Sequence, residues 1–212
     1  MWLAMYIPTD NRARILDAAE RLFATRGFAA TSVREIVREA GVTNPMLYYY
    51  FGSKEDLFIH LIRERFQSFG RAFAERLAGE DTLQGVLCAW AHATMEGTRE
   101  FPTSIRLVFA SVFGPHEGMP MEVVLHESAG LLSILYEHVA RVAPDVDEDR
   151  RHLALFFFRG ALDNLIYIHL LRPDAIGDDE ELIQAVVARI VVMFTDTLPT
   201  ACLPLLPGLG CL

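Results

Sequence analysis

Residues Thr31–Leu57 read TSVREIVREAGVTNPMLYYYFGSKEDL. Val33, Ile36, Val37 and Ala40 recur at helical spacing and give a first short helix one apolar face. Ser32, three residues before Glu35, has capping-box spacing and marks where that helix starts. Gly41 stands just past its end, where a glycine can take left-handed backbone angles. Thr43 is placed to cap a second short helix, with Pro45 in its first turn, where no amide donor is needed. That helix carries Tyr48, Tyr49, Tyr50 and Phe51 and is followed by Gly52, Ser53 and Lys54. Three consecutive tyrosines on one turn point in three directions, so one small core cannot bury them all. Some of these phenols must face a partner. Helix, tight turn and helix fit a helix-turn-helix whose second helix enters the major groove of duplex DNA.

Working outward, a helix is predicted over about Asn11 to Arg26, with Ile15, Ala19, Leu22 and Phe23 on its core face. It buttresses the pair and completes a three-helix unit over residues 1–52. A further helix starts at Ser53, where Glu55 and Asp56 suit a helix N-terminus by charge. It runs to about Ala78 through Leu57, Leu61, Phe66, Phe69, Phe73 and Leu77, a length of about 39 Å at the usual helical rise. Gly70 is a possible kink within it. Further helices are expected over Thr82–Phe101, Ser104–Phe113, Met121–Val142, Glu148–Leu171 and Asp179–Leu198. The breaker-dense loop Gly114–Pro120 separates two of them. No segment alternates with a two-residue period, so the fold is predicted to be all-α, with a helical body over 53–198 and an apolar Pro/Gly-rich tail over 199–212. Whether Met1 or Met5 is the natural start stays open.

The chain resembles the tetracycline-repressor (TetR-type) family of bacterial transcriptional regulators. The matching residues are Arg14 to Ala19, Leu22, Phe23, Gly27, Phe28, Thr31 to Val33, Ala40 to Thr43, Leu47, Tyr48, Tyr50, Phe51 and Ser53 to Leu57, in that family's order and spacing. They cover roughly the first third of the chain. Asn44 and Pro45 stand where many members carry a basic residue and a glycine, so a relative's operator sequence does not transfer. The resemblance implies a DNA-binding regulator, a repressor by default. It also implies a small-molecule inducer bound among the central helices, which changes the angle of the linking helix.

A net charge of −9 looks wrong for a nucleic-acid binder until it is divided. Residues 1–65 hold nine Lys/Arg against eight Asp/Glu, and the remainder ten against twenty. The reading head is therefore near neutral with locally placed cations, which suits modest non-specific affinity and excludes a histone-like coat. Cys88, Cys202 and Cys211 lack metal spacing and suit a reduced, cytoplasmic compartment. No signal peptide is seen at the start.

Roles within the head divide into register and readout. Arg34 can fork onto guanine or, alternatively, meet a phosphate. Asn44 can offer its amide to adenine or simply fill the first helical turn. Pro45 and Met46 can touch thymine methyls, and Tyr49 can meet a base edge or a sugar. Ser32, Thr43, Tyr48, Tyr50 and Lys54 are read as phosphate contacts, with Lys54 joining the amide ends of its helix in an anion site.

In the body, Leu153–Leu171 approaches the length of a membrane span, but Arg159, Asp163, Asn164 and His169 interrupt it, and no membrane role is assigned. Arg159 and Asp163 are spaced to pair. The last two helices are predicted to form a four-helix bundle with a second copy, through Leu153, Phe156, Gly160, Ala161, Val187, Ile190, Val191 and Phe194. Candidate ligand-lining residues are Phe69, Phe73, Trp90, Thr94, Met95, Phe109, Phe113, Phe157, Asn164 and Tyr167, unless that set is simply core. Their character favours a lipophilic ligand. No cofactor or metal site is expected, Glu122 and His126 sharing a helix face as an exposed pair. The chain lacks nucleophile-elbow, phosphate-loop and zinc-protease motifs, so no enzymatic activity is read. The rivals are a repressor without a ligand and a helical protein–protein adaptor.

Overall fold

The computed structural model describes residues 10–172 and 179–195; the tail, Cys202, Cys211 and the start of the chain lie outside the described residues. The described residues form nine helices and no strand: α1 (Asn11–Arg26), α2 (Val33–Ala40), α3 (Asn44–Phe51), α4 (Lys54–Leu77), α5 (Leu83–Glu100), α6 (Pro102–Phe113), α7 (Met121–Val142), α8 (Glu148–Leu171) and α9 (Asp179–Thr195). The helix over Ser104–Phe113 begins two residues earlier than the sequence reading placed it. Pro102 takes its first position, where a missing amide costs nothing.

Local chemistry explains the boundaries. Asp10, Ser32, Thr82 and Asp147 each accept a backbone amide at a helix start. The Ser32–Glu35 capping box is complete, and Gly41 ends α2 at φ 64°, ψ 36°. The Ser32 amide, then the Ser32 hydroxyl, then Arg26 hold the Glu35 carboxyl below its ordinary range. That interaction is fully present above the unfolded carboxylate pKa and is lost as pH falls through the lowered folded value. Thr43 occupies the cap position of α3 in extended conformation but makes no side-chain cap bond, contrary to the capping role expected of it.

Packing divides the chain into two compact units. The first comprises residues up to Phe66 together with Thr103–Glu127; the second comprises Gln67–Pro102 and residues from Ser128 on. The opening turns of α4 belong to the first because Leu57, Phe58, Leu61 and Ile62 are fully buried. Phe23, Phe28 and Phe58 meet in its core with ring centroids 5.1–5.5 Å apart, two of the three pairs edge-on. Leu47 and Phe51 anchor α3 to this core, and the Arg12 guanidinium lies 5.5 Å over the Phe51 ring.

The second unit is built on α5, α8 and α9 with the later parts of α4 and α7. Cys88 meets Gln184 and His92 meets Glu180, so α5 and α9 run antiparallel. Phe73 and Trp90 pack at 4.1 Å within its core. The α8 helix is long and apolar enough to cross a membrane by length and composition. Its inward face, however, including Leu155, Phe158, Leu162 and Leu165, belongs to this core. The expected Arg159–Asp163 pair is present at 3.6 Å. Burial pushes the Asp163 carboxyl up, with Arg159 opposing.

A Cβ on Gly41 would lie 2.5 Å from Arg14 Nη2, which donates to the Gly41 carbonyl at 3.3 Å. Gly41→Ala is therefore expected to cost about 1–2 kcal/mol through the left-handed backbone and the displaced arginine. A urea midpoint equal to that of the parent would show that this turn relaxes freely.

Candidate nucleic-acid interface

The second short helix presents one polar-aromatic face. Leu47 and Phe51 are buried, whereas Asn44, Pro45, Tyr48 and Tyr49 are exposed. Tyr49 is 82% accessible and Tyr48 50%, large values for aromatic rings on a helix in a folded unit. Met46 and Tyr50 are half-buried, Tyr50 packing edge-on against Tyr49 at 5.1 Å. The expectation that one core cannot bury three tyrosines holds, and two of the three lie open.

The two candidate hydroxyls differ. Ser32 Oγ accepts the Glu35 amide at 3.3 Å and donates to Glu35 Oε2 at 2.7 Å, so it is committed to the cap. Thr43 is exposed and carries no capping bond.

Most cations of the first unit are paired. Arg12 binds Glu64, Arg21 binds Asp17 and Glu39, Arg26 binds Glu35, and Arg65 binds Glu20. Arg34 and Arg38 are exposed and make no hydrogen bond or ion pair within the described residues. They stand four apart on α2, hence on one face. Arg38 was not singled out from the sequence, although its spacing from Arg34 carried the signal.

Lys54 departs from expectation. Its ammonium donates to the carbonyls of Phe28 and Thr31, both at 3.1 Å, and sits 4.1 Å from the Phe28 ring centroid. The α4 N-terminus is occupied by its own groups, Ser53 Oγ accepting the Asp56 amide at 2.9 Å and donating to Asp56 Oδ2 at 2.8 Å. In place of an anion site, Lys54 clamps the turn that leads into α2.

The expected ligand residues separate. Phe73, Trp90 and Met95 are buried together, with Phe69 packed against them. Thr94 is half-buried and its hydroxyl returns to the Trp90 carbonyl. Phe109 and Phe113 pack against each other on α6 in the first unit with tilted rings, Phe113 largely exposed. Phe157, Asn164 and Tyr167 do not face inward: all three are exposed along α8. The expected dimer residues divide likewise. Leu153, Phe156, Gly160 and Ala161 lie on the outward or flanking surface of α8, and a Cβ on Gly160 would meet nothing within 4 Å. Val187, Ile190 and Phe194 are instead buried in the core of the second unit, with Val191 packed against it. The physical reason is that α8 and α9 each carry apolar residues on both sides, so their pattern does not say which side the chain covers itself. The corrected outward stripe is Leu153, Phe157, Gly160, Asn164, Tyr167 and Leu171, at alternating spacings of four and three, flanked by Phe156 and free of charge. Among the described residues no group of three or more His, Cys, Asp or Glu is placed to hold a metal ion.

Residues 15–61, the core of this interface, match the family model for bacterial regulatory proteins of the tetR family. Over 74 residues the chain is 45% identical to the HTH-type transcriptional regulator YdgC of Bacillus subtilis (strain 168), a match covering 35% of this chain and 37% of that protein. It is 41% identical over 65 residues to the HTH-type transcriptional repressor NicS of Pseudomonas putida, covering 31% of each. These sequence matches thus span about a third of the relatives' own lengths. Solved structures extend the likeness of fold. A TetR-like transcriptional regulator from Rhodococcus sp. RHA1 superposes with TM-score 0.69 at 21% identity, over 86% of this chain and 96% of that one. The fatty acid degradation regulator FadR from Bacillus halodurans does so with TM-score 0.62 at 20% identity, over 89% and 96%. Residues 15–61 are thus a helix-turn-helix unit of the kind that marks bacterial regulatory proteins of the tetR family, set in a chain whose helical fold is shared with such regulators.

Proposed function

We propose that the protein is a transcriptional regulator that binds duplex DNA as a homodimer, most simply a repressor, and that a small lipophilic molecule releases it. The observation that carries the DNA reading is the exposed face of α3, with Tyr48 and Tyr49 open beside Asn44 and Pro45. Arg34 and Arg38 are exposed cations next to it in sequence, with no hydrogen bond or ion pair among the described residues. In this reading α3 enters the major groove, Asn44, Pro45, Met46 and Tyr49 read bases, and Arg34 reads guanine. Tyr48, Tyr50, Thr43 and Arg38 meet the backbone, and Lys54 and Ser32 hold the geometry from behind. Two heads in one dimer call for an inverted-repeat operator.

The uncharged outward stripe of α8 supports self-association. Phe156 at 63% and Tyr167 at 56% exposure are costly to leave in water. Gly160 lets a second helix approach closely, and Asn164 supplies one polar position within the seam.

The ligand reading rests on Phe69, Phe73, Trp90, Thr94 and Met95 in the second unit, an apolar set with one hydroxyl. It is supported by the fold shared with a fatty acid degradation regulator. Such a ligand acts only if it prefers the conformer that fits the operator poorly. The close Phe73–Trp90 contact favours a second reading, a repressor without a ligand, because the same rings already satisfy each other.

Fluorescence anisotropy on the upstream intergenic DNA, with scrambled duplex as control, tests the assignment. Arg34→Ala or Asn44→Ala should cut the specific-to-scrambled ratio by about 10-fold or more, the worth of one bidentate base contact. Tyr48→Ala should weaken both duplexes alike, while Tyr49→Ala should leave thermal stability within about 0.5 kcal/mol of the parent. Unchanged selectivity in all of these variants would refute the assigned surface. Lys54→Met should lower both the melting temperature and the affinity, since two carbonyls lose their donor; affinity lost without stability would return Lys54 to the phosphates. For the dimer, Phe156→Glu with Tyr167→Glu should give a monomer by sedimentation equilibrium, and a persisting dimer would place the contact elsewhere.

A further inference from the structure

The chain passes between its two compact units at three places: after Phe66 within α4, after Pro102 at the start of α6, and after Glu127 within α7. A polar tie within the first unit stands beside each. Arg65 precedes the first crossing by one residue and gives Nε and Nη2 to the Glu20 carboxylate at 2.8 and 2.6 Å. Ser104 follows the second crossing and donates Oγ to the same carboxylate at 2.5 Å. Glu127, at the third, pairs with Arg63 of α4 at 3.5 Å.

Glu20 is the one charged residue in the buried set among the described residues, 6% exposed. Its α1 helix packs against both α2 and α3. The other buried hydroxyls of α5 and α6 are satisfied by their own helices, Thr98 by the Thr94 carbonyl and Ser111 by the Leu107 carbonyl. Ser104 alone of the three reaches another helix. A buried carboxylate that loses one of its donors is left under-satisfied in a low-dielectric site. Positions of α4 and α6 near their crossings are thereby fixed to α1 by one group.

We propose that Glu20 is the coupling residue of this chain: with Arg65 and Ser104 as its two handles, it ties α4 and α6, where they enter the first unit, to the helix that supports the DNA-reading pair. The inference rests on the DNA-binding reading given above. While the Ser104 bond holds, displacement carried along α5 into α6 moves α1 and with it α2 and α3; without that bond α6 moves independently of them. Coupling is reciprocal, so DNA on the reading face must be felt in α5.

The test uses full-length protein and a duplex recovered by in vitro selection with the wild-type chain. Amide hydrogen exchange is followed over Leu83–Glu100 with and without duplex. In the wild type, duplex should slow exchange there about fivefold or more. Ser104→Ala should reduce that change to less than about twofold while duplex affinity stays within about threefold, and Ser104→Thr, which keeps a hydroxyl, should restore it. A purely structural role for Ser104 would alter the melting temperature and leave the transmitted change intact. Full transmission in Ser104→Ala, or none in the wild type with duplex bound, would overturn the coupling role and leave the regulator reading standing. Recovery of no duplex at all would overturn both.

Discussion

An eight-residue helix does not hold its shape in water, because the cost of nucleation is not recovered over two turns. The α3 helix is of that length, and it also carries Tyr48 and Tyr49 on its exposed face. Its conformation is therefore borrowed. Leu47 and Phe51 fix it from below, the Arg12 guanidinium covers Phe51, and the aromatic cluster of Phe23, Phe28 and Phe58 gives the first unit a rigid centre. Everything proposed for Tyr48, Tyr49 and Asn44 depends on those contacts, which never meet a partner themselves.

Charge is arranged on the same principle. The first third of the chain is almost neutral by count, but its arginines are not equivalent. On α1, Arg12, Arg21 and Arg26 are held by carboxylates and Arg14 by Asn11 and the Gly41 carbonyl; Arg63 and Arg65 of α4 are held by carboxylates, and Lys54 by carbonyls. Arg34 and Arg38 keep their donors for solvent. Net charge therefore understates the local field at the exposed face of α2, and the acidic remainder of the chain says nothing about it.

Much of this was legible from residue order. The limits of α1, α7 and α8 followed from caps and breakers, because Asp, Pro and Gly act on the backbone locally. The two faces of α8 and α9 were not legible. Phe157, Asn164 and Tyr167 read as interior, and Val187, Ile190 and Phe194 read as interface, because a helix apolar on both sides carries no polar stripe to orient it. The inward turn of Lys54 was hidden for another reason. Its acceptors are main-chain carbonyls 26 and 23 residues earlier, and no side-chain pattern announces a carbonyl. Glu20 was hidden in the same way, its partners lying 45 and 84 residues ahead on other helices.

The unequal state of the two cap residues has a consequence for how the face is recruited. Ser32 can turn to an outside oxygen only by giving up its bonds with Glu35, so any contact it makes is offset by a loosened α2. Thr43 gives up nothing but solvent, since its hydroxyl has no internal bond to break. Of two side chains with the same functional group, one is thermodynamically spoken for and the other is on call, and the difference lies in whether a glutamate stands three residues further on.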